Sequence, residues 1–339
     1  MNKSLNEKLI NFINEIAENV FFIQFVISII GFVLNIPHLL ILIHNSMRTS
    51  STNSIMIGIA ICDLIVLSEY VYENVQKYWF LGSPNLCINQ YSYWNLYSVL
   101  IGDFLQAVFE KSSFWLGVFL ALTRLVIMKA AGTTLKISKP IFGYLLILIP
   151  VALSSVHSGY YFSGYSIIQR GIWEPEDTCT GYPANYSEPK FQRYFVDYKN
   201  LLQIVNRYQM GKEVSGVLIR VSYPILTVLL IFEIRKSAKI ASKSLSKRSS
   251  EERNRTCRMI LVMTILYVIT SAPAGILGHL QLFVDIKPYS ILETLVSYGS
   301  IFVSVLFCLN ASSHGIINFT MSSKYRKTVK TCLGCKKQQ

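Results

Sequence analysis

The sequence predicts an all-α membrane protein: a bundle of seven transmembrane helices followed by a short amphipathic eighth helix. Three observations predict this class. Hydrophobic residues make up 52% of the 339-residue chain, they concentrate in seven long apolar segments, and the hydrophilic segments between them alternate between strongly basic and charge-balanced. Because about 20 apolar residues cross the hydrocarbon core as a helix, each segment is long enough to span a bilayer.

The seven predicted spans follow one another in a single membrane domain, residues 20–320. They lie at about 20–44, 53–72, 94–126, 140–161, 214–235, 257–281 and 291–320. Residues 1–19 are predicted to form an extracellular N-terminus, and residues 321–339 a cytoplasmic eighth helix and tail. The one sizeable outer segment, from about Ser158 to Lys212, is predicted to be an ordered lid.

Lysine and arginine concentrate on one side of the predicted membrane. The segment between spans five and six and the tail after span seven are strongly basic, whereas acidic residues nearly cancel the bases between spans four and five. The positive-inside bias therefore places the N-terminus outside the cell, at the plasma membrane. Most of the net charge of +13 then lies beside the anionic inner leaflet, which predicts the lipid bilayer and not nucleic acid as a partner.

The cysteines and sequons predict three covalent modifications. Cys87 and Cys179 are the only two of the seven cysteines in outer segments, which predicts a disulfide between them; two free or intermolecularly paired thiols are the alternative. Cys332 and Cys335 follow a basic amphipathic segment after the last span, which suits palmitoylation as well as plain cytosolic thiols. Glycosylation is predicted at the outer-segment sequons that begin at Asn2 and Asn185.

A carboxylate in the middle of the second span predicts a polar network inside the bundle. Asp63 has no compensating charge within its own span, and a charge at mid-membrane costs about 2.5 to 3.5 kcal/mol on insertion scales. Its predicted partners are Ser113 in the third span with Asn310 and His314 in the seventh. An ion or proton site is one interpretation, and a protonated, hydrogen-bonded carboxyl group is the other.

Polar residues on the third span predict a ligand pocket. Asp103, Gln106, Glu110, Ser113 and Gly117 recur every three or four residues and so share one inward helix face. Arg220 has three candidate partners, which are an acidic ligand group, Asp103 and Glu110, and the sequence does not choose between them. Lys111 is placed to neutralise Glu110 or Glu69 in a structural ion pair, and a ligand contact at this face is the alternative. The predicted pocket residues are Gln106, Glu110, Arg220, Ser271 and Ser304.

Six motifs in order resemble the rhodopsin-like G-protein-coupled receptors. The first span contains GFVLN, the loop and second span MRTSSTNSIMIGIAICDL, and the third WLGVFLALTR; the fifth contains YPILTVLLIFEIRK, the sixth ITSAPAGI, and the end of the seventh LNASSHGIINFTMSSKYR. Within that class the chain is similar to the nematode serpentine chemoreceptors of class W, relatives of FMRFamide-type peptide receptors. The resemblance extends from about Phe21 to Arg326.

This resemblance implies roles for particular residues. Arg124 corresponds to the arginine that contacts a heterotrimeric G protein, and Pro224 and Pro273 correspond to prolines that allow the helices to rearrange. Asp63, Ser113 and Asn310 correspond to positions of the family's sodium site. The segment from Ser322 to Lys330 corresponds to the eighth helix.

The chain also departs from the general family pattern. Thr123 replaces the acidic residue before the arginine, Ser271 replaces the sixth-span tryptophan, and His314 replaces the seventh-span asparagine. A protonated His314 beside Asp63 would replace the sodium ion, which predicts a receptor that is insensitive to sodium and sensitive to pH. Gln106 stands where amine receptors have aspartate, which argues against monoamine ligands.

The predicted function is therefore a G-protein-coupled receptor for a neuropeptide or a small chemosensory ligand. A seven-span ligand-gated ion channel is the alternative, and it would require a pore lining. An enzyme is not expected, because the five histidines are scattered and show no metal-ligand spacing. No cofactor is expected, apart from the sodium ion near Asp63 or the protonated imidazole in its place.

Overall fold

A computed structural model describes residues 3–77, 87–129, 136–196, 200–241, 247–284, 290–332 and 334. Over these residues the chain forms eight α-helices and one β-hairpin. The helices are α1 (Lys3–Leu42), α2 (Ser51–Val75), α3 (Tyr93–Lys129), α4 (Pro140–Phe162), α5 (Leu201–Ala241), α6 (Lys247–Phe283), α7 (Ile291–Met321) and α8 (Ser323–Cys332). The strands are β1 (Tyr165–Trp173) and β2 (Glu188–Phe195), and a short 3-10 turn covers Lys136–Ser138.

Hydropathy agrees with a membrane bundle. In the part of the chain that the structure describes, six helices are long and apolar enough to cross a membrane, and α6 contains a shorter apolar segment, Ile265–Gln281. Large apolar side chains such as Leu153 and Val156 of α4 point away from the bundle, 67% and 75% exposed, as expected of a surface that faces lipid. The predicted class, a seven-helix membrane bundle with a C-terminal eighth helix, is confirmed.

α3 is the central helix, since it packs against α2, α4 and α5. α1 packs against α2 and α7, and α6 joins α5 to α7. Apolar clusters fill the bundle along α3: Leu116 and Leu120 pack in a cluster with α2, and Val118 packs with α5 and α6. Phe307 of α7 is almost fully buried against α2. The core is therefore a set of interhelical layers arranged around one helix.

Local sequence signals fix several helix starts. Ser50 caps α2 by accepting a hydrogen bond from the Asn53 backbone N–H, and Ser290 caps α7 by accepting one from Glu293. Pro140 stands in the first turn of α4, where its missing N–H leaves no hydrogen bond unmade.

The helices extend beyond the apolar segments that predicted them. α1 begins at Lys3, within the predicted extracellular N-terminus, and α5 begins at Leu201, within the predicted lid. Hydropathy reports only the part of a helix that lies in hydrocarbon, whereas backbone hydrogen bonding continues through polar residues. At 1.5 Å per residue a helix of 40 residues is about 60 Å long, roughly twice the hydrocarbon thickness.

The outer segment between α4 and α5 contains a β-hairpin. β1 and β2 are antiparallel, with Tyr165 opposite Phe195 and Trp173 opposite Glu188. The register shifts between Gln169 and Ile172, where Gly171 has a φ of 99°, a conformation that favours glycine. The lid is thus shorter than predicted, because its last residues belong to α5.

The predicted disulfide between Cys87 and Cys179 is present. It joins the segment before α3 to the loop that connects β1 and β2. Two further contacts hold the same region together: the Phe191 N–H donates to the Tyr91 carbonyl at 2.8 Å, and the Asn89 amide donates to the Glu188 carboxylate at 2.9 Å. The hairpin is therefore fastened beside the start of α3. We call this side of the bundle the hairpin end and the opposite side the α8 end.

Candidate ligand cavity and polar core

A cavity of about 500 Å³ lies among α1, α2, α3, α5, α6 and α7, toward the hairpin end. This volume is within the range of about 300 to 1,000 Å³ that small-molecule sites occupy. Gln106, Glu110, Arg220 and Ser304 line the cavity, and Ser271 lines a deeper recess of about 50 Å³ that Glu110 and Arg220 also border. The structure thus brings the predicted pocket residues together, and their role in ligand binding stays a prediction.

Charged side chains of both signs face this cavity. Three acids and three bases line it: Glu73, Glu110, Glu213, Lys111, Lys212 and Arg220. Apolar and aromatic residues, including Phe114, Tyr208 and Leu277, form much of the remaining wall. The cavity therefore offers charged hydrogen-bonding groups on an apolar background.

Arg220 is already paired, which corrects the expectation that it meets Asp103 or Glu110. Its guanidinium lies 3.2 Å from the carboxylate of Glu213, seven residues earlier on α5 and so two turns along the same face. Glycines make room for this pair. An added Cβ at Gly275 of α6 would lie 2.7 Å from the guanidinium, and one at Gly278 would overlap the Glu213 carboxylate.

Replacing Gly278 by alanine is expected to destabilise the protein by about 1 to 3 kcal/mol, because the new methyl group displaces the Glu213 carboxylate from Arg220. Apparent melting temperature of the detergent-solubilised protein is the measurement. Gly159→Ala of α4 is the matched control, since a Cβ there meets no atom within 4 Å, and it should be neutral or stabilising by about 0.5 to 1 kcal/mol. Equal melting shifts for the two variants would contradict the inference that Gly278 makes room for the pair of Arg220 and Glu213.

Two other predicted partners on α3 are also corrected. Asp103 pairs with Arg193 of β2 at 2.7 Å, because it lies at the hairpin end, within reach of the lid. Lys111 contacts Nδ1 of His157 in α4 at 2.9 Å instead of an acid, because it is rotated by about 100° from Glu110 around the helix. Asp103 and Lys111 thus each find a partner on the element that their own face of α3 meets.

Asp63 lies fully buried at the centre of the bundle. The Ser113 hydroxyl donates to one carboxylate oxygen at 2.8 Å, and Nδ1 of His314 lies 2.8 Å from the other. Asn310 is buried on α7, but the hydrogen bonds that the structure describes for Asp63 come from Ser113 and His314. One serine and one imidazole therefore contact the two oxygens of a buried carboxylate.

A second polar contact links α1 to α8 next to this core. Nδ1 of His38 lies 2.9 Å from the Tyr325 hydroxyl, and both residues are buried. Gly315 of α7 allows His38 to approach, since an added Cβ there would lie 3.3 Å from the His38 side chain. The sequence did not predict this pair, because the residues are 287 positions apart and His38 lies outside the motifs.

Arg124 lies near the α8 end of α3. Its side chain is half-buried and forms no ion pair with any side chain that the structure describes. The preceding Thr123 is buried and supplies no charge. Pro224 lies inside α5 and Pro273 inside α6, as the resemblance implies. The chain therefore holds a guanidinium without a described acidic counterion near the α8 end of its central helix.

The predicted modification sites fall at opposite ends. Asn185 is exposed in the loop of the hairpin, with a φ of 61° that asparagine tolerates. Cys332 is exposed as the last residue of α8. Asn2 and Cys335 lie outside the described residues. Modification of all four remains a prediction.

Comparison with known proteins places the chain in a family. The model of the serpentine type 7TM GPCR chemoreceptor family Srw matches residues 22–336. A curated relative, the G-protein coupled receptor dmsr-1 of Caenorhabditis elegans, is 23% identical over 307 residues, which covers 77% of this chain and 58% of that protein. The chain thus spans less than two thirds of the length of this relative. The resemblance stated from the motifs is confirmed: the chain belongs to the Srw family of serpentine seven-transmembrane G-protein-coupled chemoreceptors.

Proposed function

We propose that this receptor binds a peptide with charged groups in the 500 Å³ cavity and transmits that binding to a heterotrimeric G protein. The observation that carries the proposal is the charged lining of the cavity, three acids and three bases on an apolar wall. The distant relative dmsr-1 is named as a G-protein coupled receptor, in agreement with the class.

A peptide matches this lining better than an apolar odorant does. A wholly apolar ligand would remove water from the charged groups without replacing their hydrogen bonds, and an unpaired charge that loses its water costs several kcal/mol. A peptide supplies amide groups and charged side chains that replace those bonds. The cavity therefore favours a ligand of mixed character.

Glu110 is the anchor that we assign to the ligand. Arg220 is occupied by Glu213, whereas Glu110 forms no ion pair with any side chain in the described part of the chain. Its carboxylate borders both the main cavity and the deeper recess. A donor group of the ligand that reaches Glu110 thus lies near Ser271 and Arg220, at the base of the site.

Cells that express the receptor, screened with synthetic neuropeptides and with apolar odorants, test this assignment through calcium and cyclic-nucleotide readouts. Glu110→Gln is expected to raise the half-maximal concentration of an active peptide about 10- to 100-fold, the effect of losing a charged hydrogen bond. Glu176→Gln, an exposed hairpin acid, is the control and should behave as wild type. Responses to odorants alone, unchanged potency in Glu110→Gln, or current without a G protein would each contradict the proposal.

Orientation and coupling follow from the same proposal. The hairpin end faces the outside of the cell at the plasma membrane, and the α8 end, with its basic residues and Arg124, faces the G protein. The sequon at Asn185 and the thiol of Cys332 support this orientation, since each then lies on the side where its modification takes place.

For the polar core we propose that His314 takes the place of a sodium ion. The imidazole occupies one oxygen of Asp63 directly, and Ser113 occupies the other. A protonated imidazole supplies the positive charge that a bound cation would otherwise supply. The receptor is therefore expected to respond equally in sodium and in choline salts.

A further inference from the structure

A second cavity, of about 280 Å³, opens between α1, α2 and α3 beside the main one. We call it the acidic crevice, and its walls include Phe21, Gln24, Glu69, Tyr72, Glu73, Asn74, Lys77, Gly102 and Asp103. Phe21, Gln24 and Glu73 also line the main cavity. Because the two spaces share a wall, a ligand bound in the main cavity can extend a side chain into the crevice.

Negative charge exceeds positive charge in the crevice. Glu69 and Glu73 lie one turn apart on α2, facing Asp103 of α3. Arg193 reaches from the hairpin to pair with Asp103, but neither Glu69 nor Glu73 forms an ion pair with any side chain that the structure describes. Two carboxylates therefore remain without a described counterion.

Lys77 does not neutralise these acids. It is the one base among the described residues of the crevice wall, and its ammonium lies 3.1 Å from the centroid of the Phe21 ring. A cation on an aromatic face is held by the ring quadrupole, which leaves the carboxylates available to another partner. The same contact shows that the face of the Phe21 ring is accessible to a cation.

A buried acceptor on the same wall lacks a partner. Asn74 is 2% exposed, and its amide nitrogen donates to the Tyr70 carbonyl at 2.7 Å. Its Oδ1 is buried and accepts no hydrogen bond from any residue that the structure describes. Unpaired buried acceptors are rare and costly, so an N–H donor of a ligand that reaches Asn74 from the crevice would satisfy this acceptor.

Gly102 of α3 keeps the crevice open opposite Glu69. An added Cβ at Gly102 would lie 2.5 Å from a carboxylate oxygen of Glu69, so only glycine leaves that oxygen in its present position. In the described residues no group of three or more His, Cys, Asp or Glu side chains is arranged to hold a metal ion. The acceptors suit an extended donor better than a single metal ion.

We propose that the acidic crevice is a sub-site for a cationic side chain of the peptide, the guanidinium of an arginine or the ammonium of a lysine. Glu69 and Glu73 supply charge, Asn74 supplies a neutral acceptor, and Phe21 and Tyr72 supply aromatic surface. Guanidinium matches this set best, because its planar array of N–H donors pairs with carboxylates and stacks on rings. The inference rests on the proposed peptide function and adds one element to it: a basic residue at a fixed place in the ligand.

Paired pools of synthetic hexapeptides test the sub-site. In each pair one position is either arginine or citrulline, which keeps the shape and removes the charge, and G-protein dissociation is measured in membranes from expressing cells. The wild type is expected to respond to the best arginine pool at a concentration at least about tenfold lower than to its citrulline partner. The Glu69→Gln/Glu73→Gln variant should lose most of that difference, whereas Glu176→Gln should keep it.

A charge reversal in the crevice tests the sub-site and the folding of the variant together, because a new ligand preference requires a folded receptor. Glu73→Lys is expected to lose the response to arginine pools and to gain one to pools with glutamate at the same position, which an unfolded variant cannot do. Equal potency of arginine and citrulline pools on the wild type would overturn the sub-site and leave the peptide receptor intact. If no pool activates the wild type, both the sub-site and the proposed function are overturned.

Discussion

Replacing His314 by phenylalanine is expected to lower the free energy of unfolding by about 3 to 5 kcal/mol, the usual effect of breaking a buried polar pair. The variant leaves one oxygen of Asp63 without a donor at the centre of the bundle, where the carboxylate is 0% exposed. The apparent melting temperature in detergent should fall by about 5 to 10 °C.

A matched histidine provides the control for this prediction. His279→Phe replaces a histidine at the hairpin end whose side chain is 50% exposed and lies 3.9 Å from Glu213. It should change the stability by less than about 1 kcal/mol, because exposed pairs contribute little. The double variant Asp63→Asn/His314→Phe should lose less stability than the two single losses combined, since neither partner is then left charged.

A different substitution, His314→Asn, tests whether His314 stands in for sodium. Wild-type melting should be the same in sodium chloride and in choline chloride, whereas His314→Asn should be stabilised by sodium because the cleared space beside Asp63 admits a cation. A wild-type receptor that sodium stabilises would show that the imidazole does not replace the ion. An unchanged melting temperature for His314→Phe would also show that the contact between His314 and Asp63 does not stabilise the bundle.

Replacing Arg124 by alanine is expected to abolish ligand-stimulated nucleotide exchange while leaving peptide affinity within about threefold of wild type. Arg124 offers five N–H donors near the α8 end of α3 and pairs with no acid that the structure describes, and we expect these donors to contact the G protein. The residue is remote from the cavity and does not line it. Nucleotide exchange on purified G protein and radioligand binding measure the two effects separately.

Lys129→Ala supplies the control for coupling, because Lys129 is an exposed base at the same end of α3. The nucleotide exchange rate with Lys129→Ala should remain within about twofold of wild type, since salt screens the interactions of an exposed charge. Arg124→Lys should retain part of the exchange activity, because a lysine keeps the charge and loses the planar fork. Normal exchange by Arg124→Ala would show that coupling takes place through other residues.

Hydropathy and charge were sufficient to predict the bundle, and the cost of burying polar groups was sufficient to predict much of its interior. Asp63, Ser113 and His314 belong to three different helices, yet each is a polar residue within a predicted membrane span, and Asp63 is the one charge in IGIAICDLIVL. A polar side chain inside the membrane is costly unless it is paired, and its available partners are the other polar side chains of the bundle. Cys87 and Cys179 were paired by the same kind of elimination, as the only outer cysteines.

The ion-pair partners of the polar residues near the cavities were not predicted. They depend partly on how elements distant in the sequence pack together, which a single sequence does not show. Asp103 pairs with Arg193, ninety positions away, because a hairpin folds back over α3, and the strands of that hairpin lack a clean alternation of apolar and polar residues. The partner of Arg220 was within reach of sequence reasoning, since Glu213 lies seven residues earlier on the same helix face. The extra helical turns at Lys3 and Leu201 lie where hydropathy gives no signal.

α3 runs without a proline from Tyr93 to Lys129. At 1.5 Å per residue, Asp103 and Arg124 lie about 32 Å apart along it, with Glu110 and Ser113 between them. Without a proline the backbone hydrogen bonds of a helix can run unbroken, so we expect a small slide or rotation of α3 to shift all four positions together. We therefore expect a displacement of the lid at Asp103, or a contact of the proposed ligand at Glu110, to reach the Asp63 core and Arg124 through the backbone of one helix.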